Sequence, residues 1–359
     1  MKIGILKEQK DKRVALAPAT VKKLKGLGVE ILVEKNAGFA AHYPDEEYAE
    51  YASVLSRANV LAEADLLISV FPPPDADLKK LKEGTALLSQ FRPYFDTTVT
   101  GKLQKLKLKG FSMDMIPRTT LAQTMDLLSS MASIAGYKAV LTAAQLLPRY
   151  FPMLITAAGS IRPAKVLVLG AGVAGLQAIA TAKRLGAMVE ASDTRLAAKE
   201  EVESLGGKFI VVEGAKDEKT AGGYAVEQTE EFLKRQREEV QARAMKADVI
   251  ITTAQVRGRK APLLVPKSTV EKMNPGSVIV DLAASTGGNC ELTKDNETVE
   301  FNGVTIVGDS ELAATVTQDA SFLFGNNVFN FIKVIIKDGA LHLDMKNVIV
   351  AGAYFTAES

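Results

Sequence analysis

Short apolar runs alternate with amphipathic stretches along the whole chain. Ile3–Leu6, Glu30–Glu34, Leu66–Val70, Ala86–Ser89 and Gly110–Asp114 each read as strands, with a helix over Thr20–Leu27 and a polar loop at Asp45-Glu46-Glu47. Near-continuous apolar runs, rather than strict alternation, are what a parallel strand covered on both faces requires. Pro72-Pro73-Pro74 and Pro117 act as stop signals. From Thr120 to Leu147 the pattern predicts one long helix with almost no charge, after which Ile161-Arg162-Pro163-Ala164 restarts the chain. Further strands are predicted near Val166–Leu169, Met188–Ala191, Lys208–Val212, Val249–Thr253, Val278–Leu282 and Thr305–Val307, and a second long helix over Asp319–Ile336. This alternation predicts an α/β fold with two doubly wound parallel sheets. Residues 1–126 completed by 319–359 form one expected domain and 136–312 the other. The long helices 120–147 and 319–336 are expected to join them, leaving the first domain discontinuous. Ligands in such folds sit outside the carboxyl ends of the strands, so the cleft between domains is the expected site.

Composition narrows the class. At 359 residues, 47% hydrophobic and 24% charged, the chain suits two globular domains. A net charge of +2 implies no bulk attraction to nucleic acid or anionic lipid. Cys290 is alone, so no internal disulfide forms, and a reducing compartment is expected. Two histidines far apart in sequence, His42 and His342, argue against a zinc site. No secretory signal and no uninterrupted apolar span of membrane length is expected, so the chain itself is not expected to insert in a membrane.

The most informative stretch is VLVLGAGVAGLQAIATAKRLGAMVEASD, Val166 to Asp193. A buried strand runs into Gly170, Gly172 and Gly175, then a helical segment, then a second strand closed by Asp193. Gly170 permits the tight strand-to-helix turn, Gly172 lets backbone approach a pyrophosphate, and Gly175 lets helix and strand pack closely. Asp193 lies about 20 residues beyond the glycines, where a carboxylate accepts hydrogen bonds from ribose hydroxyls. Both domains are therefore expected to be Rossmann-like, with NAD(H) held by the second. The carboxylate favours NAD(H) over NADP(H), although the nearby Arg195 is of the kind that receives a 2′-phosphate.

A second constellation is PRTTLAQTMDLLS, Pro117 to Ser129. Gln123, Asp126 and either Ser129 or Ser130 recur at helical spacing and are expected on one face, with Arg118 in a loop before them. The plainer alternative is a capping box from Thr120 to Gln123 with Asp126 near the positive end of the helix dipole. The Gly287-Gly288-Asn289 turn is expected to admit close approach, and Asp281 either caps its loop or meets cofactor. Cys290 is expected to be inert.

With these residues in view, the chain resembles the NAD(H)-binding component of proton-translocating nicotinamide nucleotide transhydrogenase and, more distantly, alanine dehydrogenase. The resemblance covers nearly the whole sequence, through MKIGILKEQKDKRVALAP, PRTTLAQTMDLLSSMASIAGY, ITAAGSIRPAKVLVLGAGVAGLQAIATAKRLGA, KEEVESLGGKF, TAGGYA, ITTAQV and NPGSVIVDLAASTGGNCE. It implies that Arg118, Gln123 and Asp126 orient the nicotinamide and act in catalysis. Thr119, Thr120, Thr124, Met125, Ser129 and Tyr137 are implied beside them. On the adenosine and phosphate side it implies Gly170, Gly172, Val173, Gly175, Asp193, Thr194 and Arg195. A closing loop matches Gly222-Gly223-Tyr224, and Gln236 with Thr253, Ala254 and Gln255 match further contacts. Gln255-Val256-Arg257 departs from the Leu-Ile-Pro more usual there.

Alanine dehydrogenases handle an amine and a carboxylate with Lys, His and Asp. Motif alignment puts these on Phe71, Arg92 and Ser285, so all three are lost, and only Arg13 remains. A hydride exchanged between two nicotinamide rings needs none of them, only closeness and orientation. The resemblance therefore implies an NAD(P)+ transhydrogenase component, with NADP(H) on a partner domain, a membrane-spanning partner subunit and a homodimer. The location it implies is cytoplasmic, peripheral at the inner face of the cell membrane through those partners. The last residues, GAYFTAES, fit a split-gene subunit or a chain cut before a membrane region. Competing readings are a stand-alone amino-acid dehydrogenase and a non-catalytic NAD sensor.

Overall fold

Five of the short runs, with one strand the pattern did not announce, Ser53–Leu55, pair as a fully parallel sheet. These are β1 (Lys2–Ile5), β2 (Glu30–Glu34), β3 (Ser53–Leu55), β4 (Leu66–Ile68), β5 (Ala86–Ser89) and β6 (Lys109–Ser112), in the order β3-β2-β1-β4-β5-β6. The structure, a computed structural model, describes residues 1–211, 230–255 and 258–357, with side chains of 230–233 excepted. Two compact units emerge: Met1–Met131 with Ala314–Ser359, and Ala132–Ala313. The first is thus built from two separate pieces of chain. The second piece enters because helix Thr317–Ile335 buries Phe324, Val328, Phe331 and Ile332 in one core with Ile3, Ile5, Ile68 and Phe111. Each such side chain contributes about 1.5–3 kcal/mol on leaving water. The opposite face of the sheet is covered by Val60, Leu61 and Leu103, which meet Leu32, Leu67 and Leu87.

The second unit begins with a hairpin, β7 (Leu154–Thr156) and β8 (Gly159–Ile161). Its main sheet comprises β9 (Lys165–Leu169), β10 (Met188–Ser192), β11 (Lys208–Phe209), β12 (Val249–Thr252), β13 (Val278–Asp281), β14 (Thr298–Phe301) and β15 (Val304–Val307). The order is β11-β10-β9-β12-β13-β15-β14, and among the described residues only β14 runs antiparallel. Both faces are again buried, one with Val166, Val168 and Val280, the other with Leu167, Ile250 and Ile279. The fold class read from the pattern is the one found.

Local expectations needed correction. The helix expected over 120–147 is two elements, a 3-10 stretch Thr120–Met125 and an α-helix Leu127–Leu146. Asp126 breaks them, with ψ at 85°, because its carboxylate takes the Ser129 N–H and offers the backbone an alternative to the helix. Gln123, Asp126 and Ser129 therefore do not share one continuous helical face. The capping box is absent too, since no side chain caps the start of the 3-10 stretch. Of the strand expected over 208–212, the described residues show Lys208–Phe209, while Val212 lies outside them. Helix Leu127–Leu146 has the length and hydropathy of a membrane span, but its Ala139, Val140 and Ala143 are fully buried in the second unit's core.

Candidate functional site

In the second unit the strand order reverses between β9 and β12, so the carboxyl ends of β9, β10 and β12 form the crevice where open α/β sheets take ligands. The glycine turn follows β9, and helix Val173–Arg184 follows the turn. Gly170 has φ +102, and a Cβ there would sit 2.5 Å from Thr253 Oγ1. A Cβ on Gly175 would lie 1.9 Å from the Gly170 carbonyl oxygen, so helix and strand approach as closely as backbone allows. Gly172, by contrast, faces open space, and it and Val173 are exposed at the helix start. The turn is therefore shaped by its own packing at two glycines and left free at the third. That free approach beside unpaired helix N–H groups suits a pyrophosphate.

Asp193, just past β10, ties the turn down. Its Oδ2 accepts the Ala171 N–H at 2.7 Å, and its Oδ1 accepts the Arg195 N–H at 2.8 Å. Arg195 also pairs with this carboxylate at 3.1 Å and donates to the Ala171 carbonyl at 3.2 Å. Burial alone pushes the Asp193 carboxyl up, but the donors from Arg195 and Ala171 outweigh it and hold the group below its ordinary value. A fixed anion thus stands beside the turn, and Arg195 is committed to it. Thr194 is exposed between them. The group set fits NAD(H): a charged acceptor for ribose hydroxyls that repels a 2′-phosphate.

Thr253, after β12, donates from its hydroxyl to the Gly170 carbonyl at 3.0 Å, which links the third strand end to the glycine turn. Gln255 is exposed, its Nε2 donating to the Leu282 carbonyl at 3.2 Å. Gln236 is half-buried on helix Glu230–Ala244. Tyr137 is 41% exposed. Its neighbour Gly136 went unnoticed in the sequence, although a Cβ there would meet the Ala174 carbonyl oxygen at 2.1 Å. A glycine inside an otherwise strong helical pattern was the available signal. Gly223 and Tyr224, with Val256 and Arg257, lie outside the described residues.

The Arg118 loop belongs to the first unit. Arg118 Nε lies 3.7 Å from Asp126 Oδ2, and Ser129 donates to that same oxygen at 2.6 Å. Thr119, Thr120, Gln123 and Thr124 are exposed, as is Leu121 at 81%. Met125 is not: at 7% exposure its side chain joins the first unit's core, which leaves only its backbone for a ligand. Two residues the sequence reading missed hold this loop. Asn327 and Asn330 both donate to the Thr124 carbonyl, at 2.9 and 3.1 Å. Amides three residues apart on an apolar helix were the sign.

At the carboxyl ends of β1 and β4, the Phe71 ring lies 5.6 Å from the Arg13 guanidinium and equally 5.6 Å from that of Arg92. Arg13 is buried and paired with Asp11. Glu8 accepts the Val70 N–H at 2.6 Å, and burial pushes its carboxyl up to about 7.

Two family models cover the chain. Residues 4–135 match the N-terminal domain of the alanine dehydrogenase/PNT family, and residues 139–359 its C-terminal domain. The chain is 45% identical over 357 residues to an NAD(P) transhydrogenase subunit alpha chain of Rhodospirillum rubrum, covering 96% of this chain and 93% of that one. A crystal structure of transhydrogenase from Sinorhizobium meliloti superposes with a TM-score of 0.91 at 40% identity, covering 99% and 98% of the two chains. An L-alanine dehydrogenase structure gives 0.81 at 26% identity, covering 99% and 94%.

Proposed function

The chain belongs to the alanine dehydrogenase/PNT family, and from that premise we propose that it is the NAD(H)-binding component of a proton-translocating NAD(P)+ transhydrogenase. One observation carries the choice over an amino-acid dehydrogenase: Phe71, its ring 5.6 Å from the guanidinium groups of both Arg13 and Arg92, fills the first unit's strand-end position with which the lysine of alanine dehydrogenases aligns. When bound, NADH would supply a hydride, with its electron pair, to C4 of an NADP+ ring held by a partner domain, leaving NAD+, and no substrate proton would have to move.

This chain's residues bind and orient. Gly170, Gly172 and Gly175 shape the phosphate turn, and Asp193 receives the adenosine ribose. Thr253 and Gln255 contribute at the β12 end. Arg118, Gln123 and Asp126, with Ser129 behind them, fix the carboxamide, since alignment of two rings is the source of rate in such an exchange. The exposed Leu121 at the tip of this loop supports docking of the NADP(H)-binding partner there. Met153 and Ile155, exposed beside and on the β7–β8 hairpin, support a homodimer. A membrane-spanning partner subunit couples the exchange to proton movement and keeps this chain peripheral at the cytoplasmic face of the cell membrane.

The deciding experiment mixes the pure protein with NADH and an NADP+-loaded transhydrogenase partner domain and follows NADPH formation. Exchange is expected. Steady NADH production from L-alanine and NAD+ by the protein alone, or NADH binding without exchange, overturns the reading.

A further inference from the structure

The strand end after β13 holds a fully satisfied polar group that none of the roles above uses. Asp281 is completely buried, and its two oxygens accept five hydrogen bonds. Oδ1 takes the Thr252 hydroxyl at 2.8 Å and the Ala283 N–H at 2.9 Å. Oδ2 takes the Asn289 N–H at 2.7 Å, the Cys290 N–H at 3.0 Å and the Thr293 hydroxyl at 2.7 Å. Asp281 is thus the loop cap. Gly288, at φ +77, serves that carboxylate, since a Cβ there would stand 2.9 Å from Oδ2.

The beneficiary is Asn289, also completely buried. Its Oδ1 accepts the Ala254 N–H at 3.0 Å, while its Nδ2 donates to the Ala254 carbonyl at 2.9 Å and the Pro262 carbonyl at 2.8 Å. Its own carbonyl accepts the N–H groups of Leu264 and Val265, at 2.8 and 2.9 Å. An asparagine amide is complementary to a peptide unit, so one side chain satisfies both backbone groups of Ala254 and fixes that residue's height above the sheet. Thr253, the next residue back, bonds the Gly170 carbonyl. A continuous brace therefore runs Asp281, Asn289, Ala254, Thr253, Gly170, from the carboxyl end of β13 to the glycine turn.

We propose that Asn289 is a positioning residue for dinucleotide binding, which sets the Thr253–Gln255 turn against the glycine turn and is itself held by Asp281. This rests on the reading that the second unit binds NAD(H). Aspartate at 289 keeps one acceptor but loses both donors and faces two carbonyls with a buried charge. Alanine loses every contact of the side chain.

The test measures NADH dissociation constants by fluorescence titration on the full chain, for wild type, N289D, N289A and the milder N289S. Titrations are run at a temperature where circular dichroism shows each variant folded. N289D and N289A are expected to weaken NADH about tenfold or more, N289S less. T269V, which removes a buried hydroxyl bonded to Gln241 in the same unit, lowers Tm but leaves the dissociation constant unchanged. A folded N289D with wild-type affinity overturns the proposal. Should the Asn289 variants not fold, hydrogen exchange in the wild type decides. Saturation with NADH must slow exchange of the Ala254 amide, and an unchanged rate overturns the proposal. Wild-type protein that binds no NADH refutes the underlying reading instead.

Discussion

Glu8 and Asp193 are carboxylates moved in opposite directions by the same pair of forces. Around Glu8, burial outweighs the two backbone donors, and its pKa reaches about 7 against 4.5 for the free side chain. The folded state therefore holds the Glu8 proton more tightly than the unfolded chain does. The resulting stability is full below pH 4.5 and is lost as pH rises through 7, a change on the order of 3 kcal/mol. Urea midpoints of the wild type are expected to fall between pH 5 and pH 8. E8Q, which carries no titrating proton but still accepts the Val70 N–H, loses most of that slope. Equal wild-type midpoints at the two pH values would refute this. At Asp193 the donors win and hold the carboxyl below its ordinary value, and on the proposed reading a 2′-phosphate would have to sit beside that charge. D193N removes the charge while keeping an acceptor for the Ala171 N–H. Its preference for NADH over NADPH, taken as the ratio of dissociation constants, is expected to drop about tenfold or more. An unaltered ratio would place the ribose elsewhere.

The instructive element is the segment from Arg118 to Leu146. Its apolar pattern is helical throughout, yet Asp126 divides it, because a short carboxylate that caps Ser129 competes with continuation of the helix. The division leaves Arg118 and Gln123 exposed and Asp126 half-buried, rather than all three on one rigid helical face. What steadies that loop comes from far along the chain, the Asn327 and Asn330 amides on helix Thr317–Ile335. N327A/N330A removes both donors to Thr124, each worth about 1 kcal/mol. Hydride exchange with the partner domain is expected to slow about tenfold while the NADH dissociation constant moves less than about threefold. Equal loss of rate and affinity would mean that the loop serves binding alone.

At the scale of the whole molecule, the second unit leaves apolar surface uncovered at its hairpin. Ile155 is 70% exposed and Met153 63%, on a two-stranded ribbon of a kind marginal in water by itself. I155D is expected to shift sedimentation in analytical ultracentrifugation from dimer to monomer at micromolar concentration. A wild-type protein that sediments as a monomer would remove the homodimer from the reading. The two units share the order 3-2-1-4-5-6 in their six parallel strands, but only the second has the glycine turn; the first also closes its second strand with an acid, Glu34, which accepts the Lys7 N–H at 2.7 Å. At the matching strand ends the first unit places Glu8 on the Val70 and Phe71 N–H groups, and Phe71 between two arginines.

Much of this was legible in the sequence, for reasons that differ by element. Doubly buried parallel strands such as Val166–Leu169 must be apolar on both faces, so their runs announce themselves. The glycine turn is legible because backbone sterics admit nothing else at Gly170 and Gly175. The hairpin β14–β15 left its mark in Asn302-Gly303, whose φ values of 51° and 74° suit a two-residue turn, yet its short alternation passed unremarked. Sequence alone thus determined the fold class, the glycine turn and the acid beside it, because each follows from local sterics or from a period along the chain. Tertiary structure alone decided that Met125 points into the core, that Arg195 is committed to Asp193, and that Asn289 and Asn327 hold turns distant in sequence. Those outcomes depend on which groups meet across long chain separations, and hydrogen-bond partners of that kind leave no period to read.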